Sequence, residues 1–89
     1  MNELVDAFLN YISVERGLAK NTVLSYKEDL SFYAKFINAR GIGNITGSTR
    51  NDIMDFMLAQ KEQGLAANSI SRRLAAIKSF YRFLVRERI

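Results

Sequence analysis

The sequence predicts an all-α domain of four helices, and three observations carry that expectation. No proline occurs in the 89 residues, and the five glycines, at 17, 41, 43, 47 and 64, leave long windows without backbone punctuation. Within each window apolar residues recur at steps of three and four, which gathers them on one face of a helix. The balance of 48% hydrophobic and 25% charged residues is that of a folded domain and not of a disordered tail.

The windows read in order. Helix one, about 2–16, lines up Leu4, Val5, Phe8, Leu9 and Ile12 against Asp6, Asn10 and Ser13, and Gly17 supplies the left-handed position that ends it. Helix two, about 20–39, carries Val23, Tyr26, Leu30, Tyr33 and Ile37, flanked by Phe36. The loop from 40 to 48 holds three of the five glycines, and its Ile42 and Ile45 are expected to tuck against the core. Thr49 stands three residues before Asp52, an approximate capping box with a shorter acid for helix three, about 49–63, ahead of Ile53, Phe56, Met57 and Gln60. After Gly64, helix four, about 67–88, places Ile70, Leu74, Ile77, Tyr81 and Leu84 on one stripe. The stripes of helices two and four are the longest, so these two should form the main contact, with helices one and three completing the core.

Residues 1–89 make a single small domain, whose core can only just offset the entropy lost on folding. With no Cys and no His, a disulfide framework, a thiolate site and the usual imidazole ligand or general base are all excluded. No apolar run approaches the roughly 20 residues that span a bilayer. The opening MNELVDAFL carries acids where a signal peptide carries bases, so a cytoplasmic location is expected. Tyr26, Tyr33 and Tyr81 fall on apolar stripes and Tyr11 borders one, which makes them packing residues before nucleophiles. Glu28 and Asp29 are adjacent on helix two and point apart, unlike a general acid and base pair. Neither a phosphate-binding glycine loop nor a metal-spaced cluster is present, so no catalytic residue, cofactor or metal is expected in this chain.

Charge is distributed unevenly. Residues 64–89 hold six basic residues, Arg72, Arg73, Lys78, Arg82, Arg86 and Arg88, against the one acid Glu87, whereas residues 1–63 hold seven bases and eight acids. The last helix also opens with Asn68 and Ser69, and helix two opens with Lys20, Asn21, Thr22 and Ser25. Both openings follow the same phrase, GLAKNTV and GLAANSI, so two helix starts with matching polar groups can face one target. Free backbone N–H groups and the positive end of the helix dipole favour a phosphate at such starts, and Arg and Lys neutralise neighbouring phosphates. A solvated basic face accounts for the charges alone, and helix capping accounts equally for the Thr22 and Ser69 hydroxyls. The combination nevertheless makes double-stranded DNA the leading partner.

The phrases GLAKNTVLSYKEDL and SISRRLAAIKSFYRFL, with FLNYISVERGL at the start and Thr49 to Ile53 in the middle, resemble the N-terminal core-binding domain of the tyrosine recombinases, the phage integrase family, and most closely its Xer-type members. That resemblance implies a four-helix SAM-like fold forming half of a clamp on DNA. The second and fourth helices would approach the major groove, while the others would help neighbouring protomers meet in dimers and tetramers on DNA. Carried onto matching positions, the DNA-facing residues would be Thr22, Ser25, Asn68, Ser69, Arg72 and Arg73. Asn21 belongs to the same polar opening, and Lys20 and Lys78 join on charge alone. The strand-cleaving Arg, Lys, His-x-x-Arg and Tyr set of the family resides in a separate C-terminal domain, so this chain is expected to be a fragment ending in the interdomain linker and not itself an enzyme. Ala19 and Ala66 depart from the Ser found at the N-cap in many relatives.

The reading makes two demands. The polar start of helix two and the basic start of helix four must share one side, and the guanidinium groups of Arg72 and Arg73 must not be locked into carboxylates. The alternative is a helical protein-interaction domain that uses the basic amphipathic last helix.

Overall fold

A computed structural model of the chain describes residues 3–43 and 45–87. Four α-helices run in order: α1, Glu3–Val14; α2, Lys20–Ala39; α3, Arg50–Glu62; and α4, Ala67–Arg86. One 3-10 turn, Ile45–Gly47, precedes α3. Among the described residues there is no strand, and no helix is long and apolar enough to cross a membrane. Asn2 and Arg88, assigned to helix ends from the sequence, lie outside the described residues.

Helix boundaries follow local chemistry. Thr49 and Asp52 form the expected capping box: the Thr49 backbone N–H donates to Asp52 Oδ2 at 2.7 Å, and the Asp52 N–H donates to Thr49 Oγ1 at 3.4 Å. Gly64, at φ +84°, lets the chain reverse after α3, and the Leu65 N–H donates to the Gln60 carbonyl at 3.1 Å. Gly17, at φ +60°, does the same after α1, which ends two residues earlier than expected. The N-caps of α2 and α4 are Ala19 and Ala66, and neither helix has a side-chain cap.

The most extensive helix pairing is that of α2 with α4, as expected. Val5, Phe8, Leu9 and Ile12 of α1, Leu30, Tyr33 and Ile37 of α2, and Phe56 of α3 converge with Ile45 on one core. Ile42 packs partly against it. On α4 the stripe is turned from the expected line. Ala76, Ile77, Phe80, Phe83 and Leu84 are the buried residues, whereas Ile70, Leu74 and Tyr81 are half-buried. The cause is that α4 is packed on more than one side. Phe8 of α1 draws in both Phe80 and Phe83, each ring centroid 5.6 Å from its own. A central helix buries a wider arc than a single stripe predicts.

The tyrosines pack as expected. Tyr33 is buried and meets Phe56 edge-on at 5.2 Å, and Tyr26 stacks on Phe8 at 6.3 Å. Burial pushes the Tyr33 phenol well above its ordinary value, against a weaker opposing pull from the nearby Ser48 hydroxyl, and no hydrogen bond of ordinary geometry reaches its oxygen among the described residues. The Tyr81 hydroxyl donates to the Ile45 carbonyl at 2.8 Å and pairs with Ser48, which ties the 3-10 turn to α4.

Candidate nucleic-acid interface

Asp29 lies on α2 between Tyr26 and Tyr33, on the helix's inward side, and is fully buried at 0% exposure. A buried carboxylate must be paired, because an uncompensated charge away from water costs several kcal/mol. Two arginines of α4 meet that need. Arg72 reaches it through two bonds, Nε to Oδ2 at 3.1 Å and Nη2 to Oδ1 at 2.8 Å. Arg73 Nε stands 3.6 Å from Oδ1. Hydrogen bonding to Asp29 holds the Arg72 guanidinium above its ordinary pKa.

The two arginines then diverge. The Arg73 side chain is only 12% exposed. It donates through Nη1 to Gln60 Oε1 at 2.7 Å and lies 4.1 Å over the Phe32 ring, and Gln60 in turn donates to the Phe56 carbonyl at 3.3 Å. Arg73 is thus a tie among α2, α3 and α4. Arg72 keeps 46% of its side chain exposed, and its Nη1 has no partner among the described residues. The expectation of two guanidinium groups free of carboxylates is therefore not met, because a buried acid needed both. Arg73 is committed to the interior, and Arg72 is held from behind with its outer edge in solvent.

The Asp29–Arg72 pair joins two polar rows. On α2, Thr22, Ser25 and Asp29 are spaced three and four apart and lie along one side of the helix. On α4, Asn68 and Ser69 stand one turn before Arg72. Lys20, Asn21, Thr22 and Asn68 are exposed, and Ser25 and Ser69 are half-buried. Capping does not employ Thr22 or Ser69, since Ala19 and Ala66 hold the N-cap positions and neither hydroxyl makes a hydrogen bond among the described residues.

Lys78 belongs elsewhere. Six residues beyond Arg72, it is turned about 240° around the helix. It lines an open groove of about 510 Å³ between the start of α3 and the end of α4, with Arg50, Arg82, Ile53, Tyr81 and Val85. None of these three cations has an ion pair among the described residues. Arg86 is separate again, lying 5.0 Å over the Tyr11 ring. Among the described residues no group of three metal-ligating side chains occurs.

Sequence reasoning considered Asp29 only as half of an acid–base pair and did not anticipate that Asp29 and Gln60 hold the two arginines. The signal was available: both fall on apolar faces, where a polar side chain implies a partner across the helix interface.

Residues 5–88 match the model of the family "Phage integrase, N-terminal SAM-like domain". The chain is similar to tyrosine recombinase XerC of Herpetosiphon aurantiacus, 42% identical over 84 residues, which are 94% of this chain and 28% of that protein. It is 34% identical over 88 residues to tyrosine recombinase XerD of Listeria monocytogenes, covering 98% of this chain and 30% of that protein. With tyrosine recombinase XerD of Rhizobium meliloti it shares 41% identity over 83 residues, 93% of this chain and 26% of that one. The chain thus spans less than a third of the length of these curated relatives. No solved structure matches it.

Proposed function

The chain belongs to the phage integrase N-terminal SAM-like domain family, and from that premise we propose that it is a double-stranded DNA-binding module of a site-specific tyrosine recombinase. In this role it grips the recombination site through α2 and α4, beside other protomers on the same DNA. Strand cleavage and rejoining fall to a separate catalytic domain, so the module needs no cofactor or metal.

The observation that carries the reading is the half-exposed Arg72, set between the Thr22–Ser25 row and Asn68–Ser69. A guanidinium edge suits a phosphate or the acceptors of a guanine, and the hydroxyls and amides suit phosphate oxygens. Lys20 and Asn21 extend the patch at the start of α2, where backbone N–H groups lack a side-chain cap. Arg73 supports this surface from within, and Lys78 lies outside it.

Titration of a labelled duplex at low and moderate salt tests the reading. A small phosphate-contacting surface should bind with a dissociation constant of order 10⁻⁴ to 10⁻⁶ M and weaken steeply with salt. Arg72→Ala should reduce affinity and lower the salt slope by about one. Unchanged binding in that variant, with the helical circular dichroism retained, overturns the role of α4.

A second reading has an observation of its own. The groove beside Lys78 has an apolar floor that includes Val85, 77% exposed, and a rim of three cations without an ion pair among the described residues, features that suit a protein partner. Self-association that survives high salt, without duplex binding, would favour it.

A further inference from the structure

A carboxylate within a DNA-facing basic surface works against the phosphates it approaches. Asp29 nevertheless sits beneath Arg72, and its geometry is uneven in an informative way. If its role were only to neutralise the buried cation, the better contact would go to Arg73. Instead Arg73 Nε approaches to 3.6 Å and remains without a hydrogen bond, while the half-exposed Arg72 receives both oxygens at 3.1 and 2.8 Å.

We propose that Asp29 is a positioning residue for DNA binding: its two-point pair with Arg72 fixes the guanidinium plane so that Nη1 and the outer edge face the duplex before contact. The inference rests on the DNA-binding reading above. An arginine loses much rotamer freedom on docking, and a side chain already held gives up less. The carboxylate is itself buried, so it is a fixed anchor and not a competitor that swings toward solvent. Two guanidinium groups on one carboxylate also leave the cluster with a net positive charge.

Asp29→Asn separates this role from simple charge, because the two accounts predict opposite signs. The substitution adds one unit of positive charge to the face. Under charge alone, duplex affinity rises and the salt slope steepens by up to about one. Under positioning, affinity falls by about two- to tenfold despite the added charge, since Arg72 must then be ordered on binding. Unchanged or tighter binding by folded Asp29→Asn overturns the proposal.

Should that variant fail to fold, the native chain still decides through the NMR order parameter of the Arg72 Nε–H. It should report a rigid group, well above the exposed Arg50 and Arg82; equal mobility in all three overturns the proposal. Arg72→Ala in the same titration keeps the two inferences apart. Unchanged affinity there removes Arg72 from the interface and Asp29 with it. Weakened Arg72→Ala beside unweakened Asp29→Asn leaves the DNA reading standing and overturns only the positioning role.

Discussion

The seam between α2 and α4 and the groove between α3 and α4 both carry arginine, and they hold it in opposite ways. In the seam, one buried acid gathers Arg72 and Arg73, and each is fixed by partners on other helices. In the groove, Arg50, Lys78 and Arg82 stand around an apolar floor with no ion pair among the described residues. The difference teaches that formal charge is a poor guide to how a cation can act. The seam yields a directed guanidinium, which suits recognition of a rigid lattice of phosphates. The groove yields exposed cations without a fixed partner among the described residues, which contribute mainly to a long-range field.

Stability should separate the regions most strongly. Asp29→Ala leaves Arg73 in the seam without its acid and should cost about 3 kcal/mol in urea unfolding, whereas Arg82→Ala in the groove should stay within about 0.5 kcal/mol. Comparable losses in the two variants would erase the contrast.

The helix starts come next. Thr49 bounds the groove, and Thr49→Ala should cost about 1 kcal/mol by removing the capping box. Ala66→Ser, at the start of α4, should stabilise by up to about 1 kcal/mol, a rise of about 4–8 °C in Tm for a domain of this size. A fall in Tm for Ala66→Ser would mean that the start of α4 cannot accept a cap.

Tyr33 gives a smaller effect with a defined pH dependence. Burial raises its folded-state pKa above the unfolded value of about 10. Over that interval the folded chain keeps a proton that the unfolded chain has lost, so stability present below about pH 10 declines as the pH rises further. Tyr33→Phe should remove that part of the alkaline decline and, having no unpartnered hydroxyl, stabilise by up to about 1 kcal/mol near neutrality. Chemical unfolding at pH 7 and pH 11 measures both. The smallest effect is expected for Lys78→Ala, which should leave duplex affinity within about twofold at 0.15 M salt because its charge is remote and screened.

Much of the fold was legible because it depends on local rules: proline-free windows, three–four spacing, the Thr49–Asp52 box and the glycines at 17 and 64. The burial of Phe80 and Phe83 was not, because a stripe counted along one helix does not reveal that α1 packs beside it. The family was legible in the order of its phrases. The candidate interface was legible in composition only: Arg72 and Arg73 look alike in the sequence, and their separate fates are set by Asp29, 43 residues away from Arg72. An acid between two tyrosines on a helix stripe was the overlooked clue. Lys78 was assigned by charge, and the turn of the helix moves it to the groove.

The most direct measurement is amide and arginine side-chain NMR of the chain titrated with a short duplex at low salt. The account predicts the largest shifts at Asn21, Thr22, Ser25, Asn68, Ser69 and the Arg72 Nε–H, with Arg50, Lys78 and Arg82 little affected. Shifts concentrated on the groove residues, with the Arg72 signal unmoved, would contradict it.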